Sequence, residues 1–326
     1  MAGGGGHLGA GTGPAVLALA EAWGYPWATR PGLVETVEAT SAASAASVGG
    51  GTEPGRGVRL EGLLAQALGR RRALEALSRW HDELDRLGEA DPGLDVVTVA
   101  DARYPANLRR VPGRPPFLFV RGQLVGGDGL AAAVVGARHC SPAGREAAAE
   151  LADGLARAGV TVVSGLALGI DAAAHRGALA AGGRTVAVTG TGILRIYPPE
   201  HAQLAARMAA GPGAVVSQFW PATPPAAATF RARNVVTAGL SLATVVVEAS
   251  ARSGARLQAR LAREQGRAVC LTGALVAAEG WARGLVESGR ATAVEGAGGV
   301  LAAITPTIEA GHRPPREGPA EQLRLL

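Results

Sequence analysis

The sequence predicts an α/β protein: a doubly wound, mainly parallel sheet with a small helical region ahead of it. Three observations predict it. Short apolar runs recur from residue 95 onward, continuous rather than alternating, as in strands covered on both faces. The stretches between them are long enough for the crossover helices that parallel strands require. The first 90 residues lack such runs and carry helical spacing instead. A chain of 326 residues, 48% of them hydrophobic, suits one large or two modest domains with an ample core.

Taken in order, PAVLALAEAW (14–23) and LEGLLAQALGRRRALEALSRWHDELDRLG (60–88) read as helices, the second placing Leu74, Leu77, Trp80 and Leu84 at steps of three and four. Between them SAASAASVGGGTEPGRG (41–57) is of low complexity and expected to be a mobile loop. The run Arg70-Arg71-Arg72 fits a solvated helix face better than a DNA contact. DVVTVA (95–100) is a short strand, and YPANLRRVPGRPPFLFVRG (104–122) leads through prolines into another. The alternation proper follows: AAAVVG (131–136), a helix from about 143, TVVSG (161–165), a helix from 171, RTVAVTG (184–190) and a helix near 200. It continues with AVVSQ (214–218), a helix near 234, ATVVVEA (243–249), a helix from about 256 and AVCLTG (268–273). The expected organisation is a helical region over 1–90, the sheet domain over 91–305 and a flexible tail over 306–326.

Composition narrows the class. No run of 18 apolar residues occurs, so no membrane span is expected, and MAGGGGHLGAGTG lacks the basic start and apolar core of a secretory signal. Cys140 and Cys270 are too few for a disulfide framework and lack metal-ligand spacing. A cytoplasmic protein without metal or cofactor is expected. All 32 basic residues are arginine, a bias that a GC-rich genome also produces. Any phosphate site must therefore use guanidinium forks, hydroxyls or backbone amides. The net charge of +5 permits a polyanionic partner without requiring one.

Ligands of such sheets bind at the carboxyl ends of the strands. There the sequence places Gly136, Arg138, Ser141 and Gly144, then SGLALGID (164–171), then Gly190 to Gly192, then Glu248 followed by SARSG (250–254). FRARNVV (230–236), carrying Arg231, Arg233 and Asn234, precedes the strand of Glu248 and is expected to open a helix facing the same edge. Helix N-termini converging on one edge form an anion site. Each element alone is weak. Glycines at strand–helix turns often serve only the turn, and Gly190-Thr191-Gly192 lacks the third glycine of a dinucleotide fingerprint. Asp171 is an acid favoured in a first helical turn, and His175, four residues on, could pair with it or serve the core. Asn234 is one of two asparagines in the chain and stands as either a helix cap or a ligand contact. No nucleophile–base arrangement, carboxylate pair or metal cluster stands out.

Together these residues resemble the DNA-processing protein A (DprA/Smf) family. The shared pattern is Gly136-x-Arg138 with Ser141, the complete block from Ser164 to His175, Gly190-x-Gly192 and Tyr197-Pro198. It goes on through Phe230, Arg233-Asn234, Ala238 to Ser241, Val246 to Ala249 and Ser253-Gly254, covering roughly 94–295 in order. The resemblance implies a Rossmann-like domain that binds single-stranded DNA, protects it and loads RecA onto it in transformation or recombination. It implies a homodimer, no membrane partner and no enzymatic turnover, and its 164–175 turn would bring backbone amides up to phosphates. The DNA-binding set it implies is Gly136, Arg138, Ser141, Ser164, Gly165, Ala167, Gly169, Arg231, Arg233 and Asn234, supported by Asp171, His175, Glu248, Ser253 and Gly254. Glu248 would hold Arg138 or Arg233 in place, or serve as the catalytic acid that an enzyme acting on a nucleotide would need. Departures from the family pattern are Arg231, Val235, Leu194, Gln218, Gln258 and Thr272. The winged helix many members carry has no expected place in 306–326. The alternative is a nucleotide-binding enzyme or sensor of related fold. AVCLTGALVAAEGWARGLV (268–286) is a candidate dimer surface, with Trp281 either at that interface or buried in its own domain.

Overall fold

Valine and alanine fill the strands because both faces of the sheet are covered, and a β-branched or small residue packs well there without a polar atom to satisfy. The computed structural model describes residues 13–23, 34–39 and 54–309. The chain divides into two compact units, Met1–Tyr104 with Pro112–Arg121, and Pro105–Val111 with Gly122–Leu326.

The first unit holds helices α1 (Gly13–Trp23), α2 (34–39), α3 (Pro54–Leu68) and α4 (Arg70–Ala90), and the antiparallel strands β1 (Leu94–Thr98) and β2 (Phe117–Gly122). The helical run expected over 60–88 is two helices, because Gly69 sits at φ 81°, a left-handed conformation that breaks the ladder. The buried stripe of α4 is Ala73, Leu77, Trp80, Leu84 and Leu87, and Leu74, expected in it, is 60% exposed. Arg70, Arg71 and Arg72 are exposed, as a solvated face requires. Trp80 Nε1 donates to Glu21 Oε2 at 3.0 Å, which Arg79 also pairs. Helix α3 takes in residues 54–57 of the expected loop, and 41–53 lie outside the described residues.

The second unit starts with the short helix α5 (Ala106–Arg109) and continues with β3 (Ala131–Val135), α6 (Pro142–Arg157), β4 (Thr161–Ser164), α7 (Ile170–Ala180) and β5 (Thr185–Val188). Then come α8 (Ala202–Ala210), β6 (Ala214–Ser217), α9 (Ala227–Leu240), β7 (Ala243–Val246), α10 (Gly254–Glu264) and β8 (Ala268–Thr272). Helices α11 (Gly273–Ala278) and α12 (Gly280–Glu287), the edge strand β9 (Thr292–Val294) and α13 (Gly296–Glu309) close it. The strand order is β6-β5-β4-β3-β7-β8-β9, and the recorded ladders among these strands are parallel. The chain winds outward from β3 to β6 and then returns to lay β7 beside β3, so the switch point of a doubly wound sheet lies between β3 and β7. One core cluster joins β3, β4 and β7 to α6, α7 and α13 through residues such as Leu151, Leu155, Ile170 and Ile304. Helix α13 extends through Pro306 to Glu309, into the stretch expected to be tail, and 310–326 lie outside the described residues. No helix among the described residues is long and apolar enough to cross a membrane.

Candidate functional site

The carboxyl ends of β3, β4, β7 and β8 surround a cleft of about 1180 Å³ at the switch point. Of the residues singled out in the sequence, Gly136, Arg138, Ser141, Gly165, Ala167, Asp171, Arg231, Arg233, Asn234, Glu248, Ser253 and Gly254 line it. Ser164, Gly169 and His175 do not. Ser164 is fully buried and donates its hydroxyl to Val134 O at 2.6 Å, stitching β4 to β3 rather than meeting a ligand.

The β4–α7 turn closes on itself. Asp171, in the first turn of α7 and 5% exposed, accepts the Gly165 amide at 3.1 Å and the Ala167 amide at 3.4 Å through Oδ2. Two amides that the sequence pattern offers to phosphate are thus taken by the chain's own carboxylate. Arg233, 6% exposed, reaches the same turn from α9 and donates Nη1 to Gly165 O and to Val188 O, the latter at 2.6 Å. Burial pushes the Asp171 carboxyl up while Arg233 pulls the other way, and burial pushes Arg233 down while Asp171 opposes it. Two opposite charges thus offset each other's burial. The glycines serve this packing. A Cβ on Gly165 would stand 2.3 Å from Arg233 Nη1, and Gly169, at φ 75°, lies where a Cβ would be 2.3 Å from Ala137 O.

The N-terminus of α6 is closed in the same way. Ser141 caps it, accepting the Gly144 amide at 2.9 Å, and gives its hydroxyl proton to Glu248 Oε2 at 2.6 Å. Glu248 also accepts the Ser141 amide at 3.0 Å. Glu248 therefore holds a helix start, not Arg138 or Arg233, because its carboxylate sits where a negative charge meets the N-terminal dipole. Ser253 caps α10 through the Ala255 amide at 3.2 Å.

Arg138, His139 and Arg231 remain exposed at the cleft. The Arg138 guanidinium lies 5.1 Å over the Phe230 ring, and the Tyr197 ring stands 5.7 Å from Phe230 at a tilt of 46°. Tyr197 is 40% exposed. Gly190, after β5, makes room for this row, since a Cβ there would be 2.3 Å from Phe230 Cδ1. A cation and two aromatic rings are thus presented side by side, as in sites that track a charged backbone and stack its bases.

Two expectations about neighbouring residues are corrected, and of the two readings of His175 the core role holds. Helix α9 begins at Ala227, not at Arg233, because Thr229 Oγ1 accepts the Ala226 amide at 3.1 Å and starts the helix earlier. Asn234 is therefore mid-helix and no cap, and its Oδ1 accepts Arg233 Nε at 3.2 Å. His175 does not pair with Asp171: its Nδ1 meets Thr185 Oγ1 at 2.7 Å inside the core. Sequence reasoning missed His201, which is 3% exposed and donates Nδ1–H to Leu166 O at 2.8 Å. That bond supports the one non-glycine at positive φ among the described residues, Leu166 at 58°. Its only sequence signal is its place just after Tyr197-Pro198.

With this geometry in view, the family model for DNA recombination-mediator protein A matches residues 95–305. Protein Smf of Escherichia coli (strain K12) is 42% identical over 178 residues, covering 55% of this chain and 48% of that protein. DNA processing protein DprA of Streptococcus pneumoniae (strain ATCC BAA-255 / R6) is 38% identical over 172 residues, 53% of this chain and 60% of that protein. The X-ray structure of DNA processing protein A from Streptococcus pneumoniae superposes with a TM-score of 0.61 at 29% identity, over 85% of this chain and 95% of that one. The chain spans about half the length of the curated relatives it matches.

Proposed function

The chain belongs to the DNA recombination-mediator protein A family, and from that premise we propose that it binds single-stranded DNA in the switch-point cleft and serves DNA processing in recombination or transformation. The observation that carries this reading is exposed Arg138 set over the half-buried Phe230 ring at the cleft, with the exposed Tyr197 ring beside Phe230. Arg138 takes a phosphate through its guanidinium fork, with Arg231 extending the positive rim. Bases stack on Phe230 and Tyr197, which need no particular sequence. Gly136, Ser141, Gly165 and Ala167 form the wall, while Arg233, Asn234, Asp171 and Glu248 hold that wall in shape.

The protein works by holding the strand, not by turning it over. The two carboxylates nearest Arg138, Asp171 and Glu248, are both engaged within the chain, Asp171 on the turn amides and Glu248 on Ser141. This arrangement supports binding over catalysis on a nucleotide. Protection of the strand, hand-over to a recombinase of the RecA class and a homodimeric state complete the proposal.

A concave cleft with scattered cations suits a flexible single strand, whereas duplex recognition usually presents a helix or ribbon to a groove. Competition against a labelled oligothymidine tests the reading. Unlabelled oligothymidine displaces it, and hairpin duplex and mononucleotide compete poorly. Equal competition by the hairpin, or displacement by mononucleotide alone, overturns it.

A further inference from the structure

The cleft continues along the sheet from the ends of β3 and β7 over β8 to β9, and its far half differs in chemistry from the Arg138 side. The lining cations, Arg138, Arg231 and Arg233, belong to the β3 turn and to α9. Toward β8 and β9 the lining is instead Leu257, Ala274 and Leu275, and the charged groups there are Glu279 and Glu295. Carboxylates without a lining cation repel a second phosphate. No group of three or more His, Cys, Asp or Glu able to hold a metal ion occurs among the described residues.

One polar group in this half has no partner. Gln258, on α10, is 3% exposed and lines the cleft, and its buried Nε2 makes no hydrogen bond. A buried amide donor left unpaired in a native fold needs an explanation, and an acceptor on a ligand supplies it. A flat, uncharged ligand with acceptors on its edge fits between apolar walls and over this amide. A nucleobase has that chemistry.

We propose that the far half of the cleft is a nucleobase pocket in which Gln258 donates to an acceptor on the base edge. This rests on the strand-binding reading: the base belongs to a strand whose phosphates run past Arg138. Gln258 is one of the positions at which this chain departs from the family pattern, so the amide is its own feature.

The test uses the whole chain and fluorescence anisotropy with two probes of equal length, an oligothymidine and a fully abasic strand. Gln258→Leu removes the donor, and Ala274→Phe fills the pocket from an exposed lining position. Each variant should weaken oligothymidine binding roughly fivefold, the size of one net hydrogen bond, and leave the abasic strand unaffected. Arg138→Ala should weaken both probes, since it acts on phosphate. Free thymidine that binds wild type and loses affinity in both variants assigns the base to a free nucleoside, and loss confined to the oligothymidine assigns it to the strand. If both variants bind oligothymidine and thymidine as wild type does while Arg138→Ala still weakens both strands, the pocket is refuted and the strand-binding reading stands. If Arg138→Ala changes neither strand, the strand-binding reading falls, and the thymidine result alone decides the pocket.

Discussion

Thr185 has one hydroxyl proton and gives it to Val162 O at 2.7 Å. Its oxygen can then only accept from His175 Nδ1, 2.7 Å away, which fixes the imidazole as the Nδ1–H tautomer. Nε2 is left buried and without a partner, so protonation would place a charge in the core. Burial, reinforced by His201 and Arg233, pushes the His175 pKa down to about 3. The unfolded chain binds this proton near pH 6.5 and the folded chain does not, so stability is complete above pH 6.5 and is lost as the pH falls toward 3. We predict a loss of about 2 kcal/mol between pH 7 and pH 5 from this residue. Urea unfolding at both pH values checks it: His175→Gln should show a shallower pH dependence than wild type, and an equal slope would contradict the assignment. A sequence displays the histidine but not the hydroxyl facing it, and that is why an Asp171 partner stood there as an alternative to a core role.

The β4–α7 turn shows how much an element reveals before its structure is known. Ser164-Gly165 and Gly169 mark a tight strand-to-helix turn in any reading of the residues. What they make room for is a matter of tertiary contact, since Arg233 arrives from 68 residues further along the chain. Gly165→Ala places a Cβ 2.3 Å from Arg233 Nη1 and must displace the guanidinium from Gly165 O. We predict a loss of about 2 kcal/mol or more, visible as a lowered melting temperature. Gly254→Ala, where a Cβ meets nothing within 4 Å, should stay within about 0.5 kcal/mol of wild type. Comparable melting of the two variants would refute the packing role. The same limit explains other elements. The buried parallel strands were legible because burial on both faces leaves continuous apolar runs. Strand β9 was missed because it is three residues long and exposed at two of them. The early start of α9 was missed because Pro224-Pro225 reads as loop, while the Thr229 bond that begins the helix lies beyond it.

At the scale of the whole molecule, the cleft offers few cations, and each phosphate neutralised adds only a limited counterion-release contribution. Two linked sites raise apparent affinity through effective concentration without any new contact. A homodimer at micromolar concentration is therefore predicted, and light scattering that gives a monomer with and without oligonucleotide would contradict it. Trp281, singled out as a possible interface residue, is half-buried beneath Arg256 at 5.8 Å, with Nε1 unpartnered. The candidate site as a whole was legible as a set of positions, because the motif blocks fall at the strand ends. Its division of labour was not. Asp171 and Glu248 occupy the helix starts from within the chain, which leaves Arg138 as the exposed cation set over Phe230.

That division makes salt dependence the most direct measurement. Binding of an oligothymidine is followed at several salt concentrations for wild type and Arg138→Ala. The substitution should weaken binding by about 1–3 kcal/mol and reduce the slope of log K against log salt by about 0.7, the loss of one phosphate contact on a single strand. Unchanged affinity and an unchanged slope would contradict the assignment of Arg138 as the principal phosphate contact, and with it the strand-binding cleft.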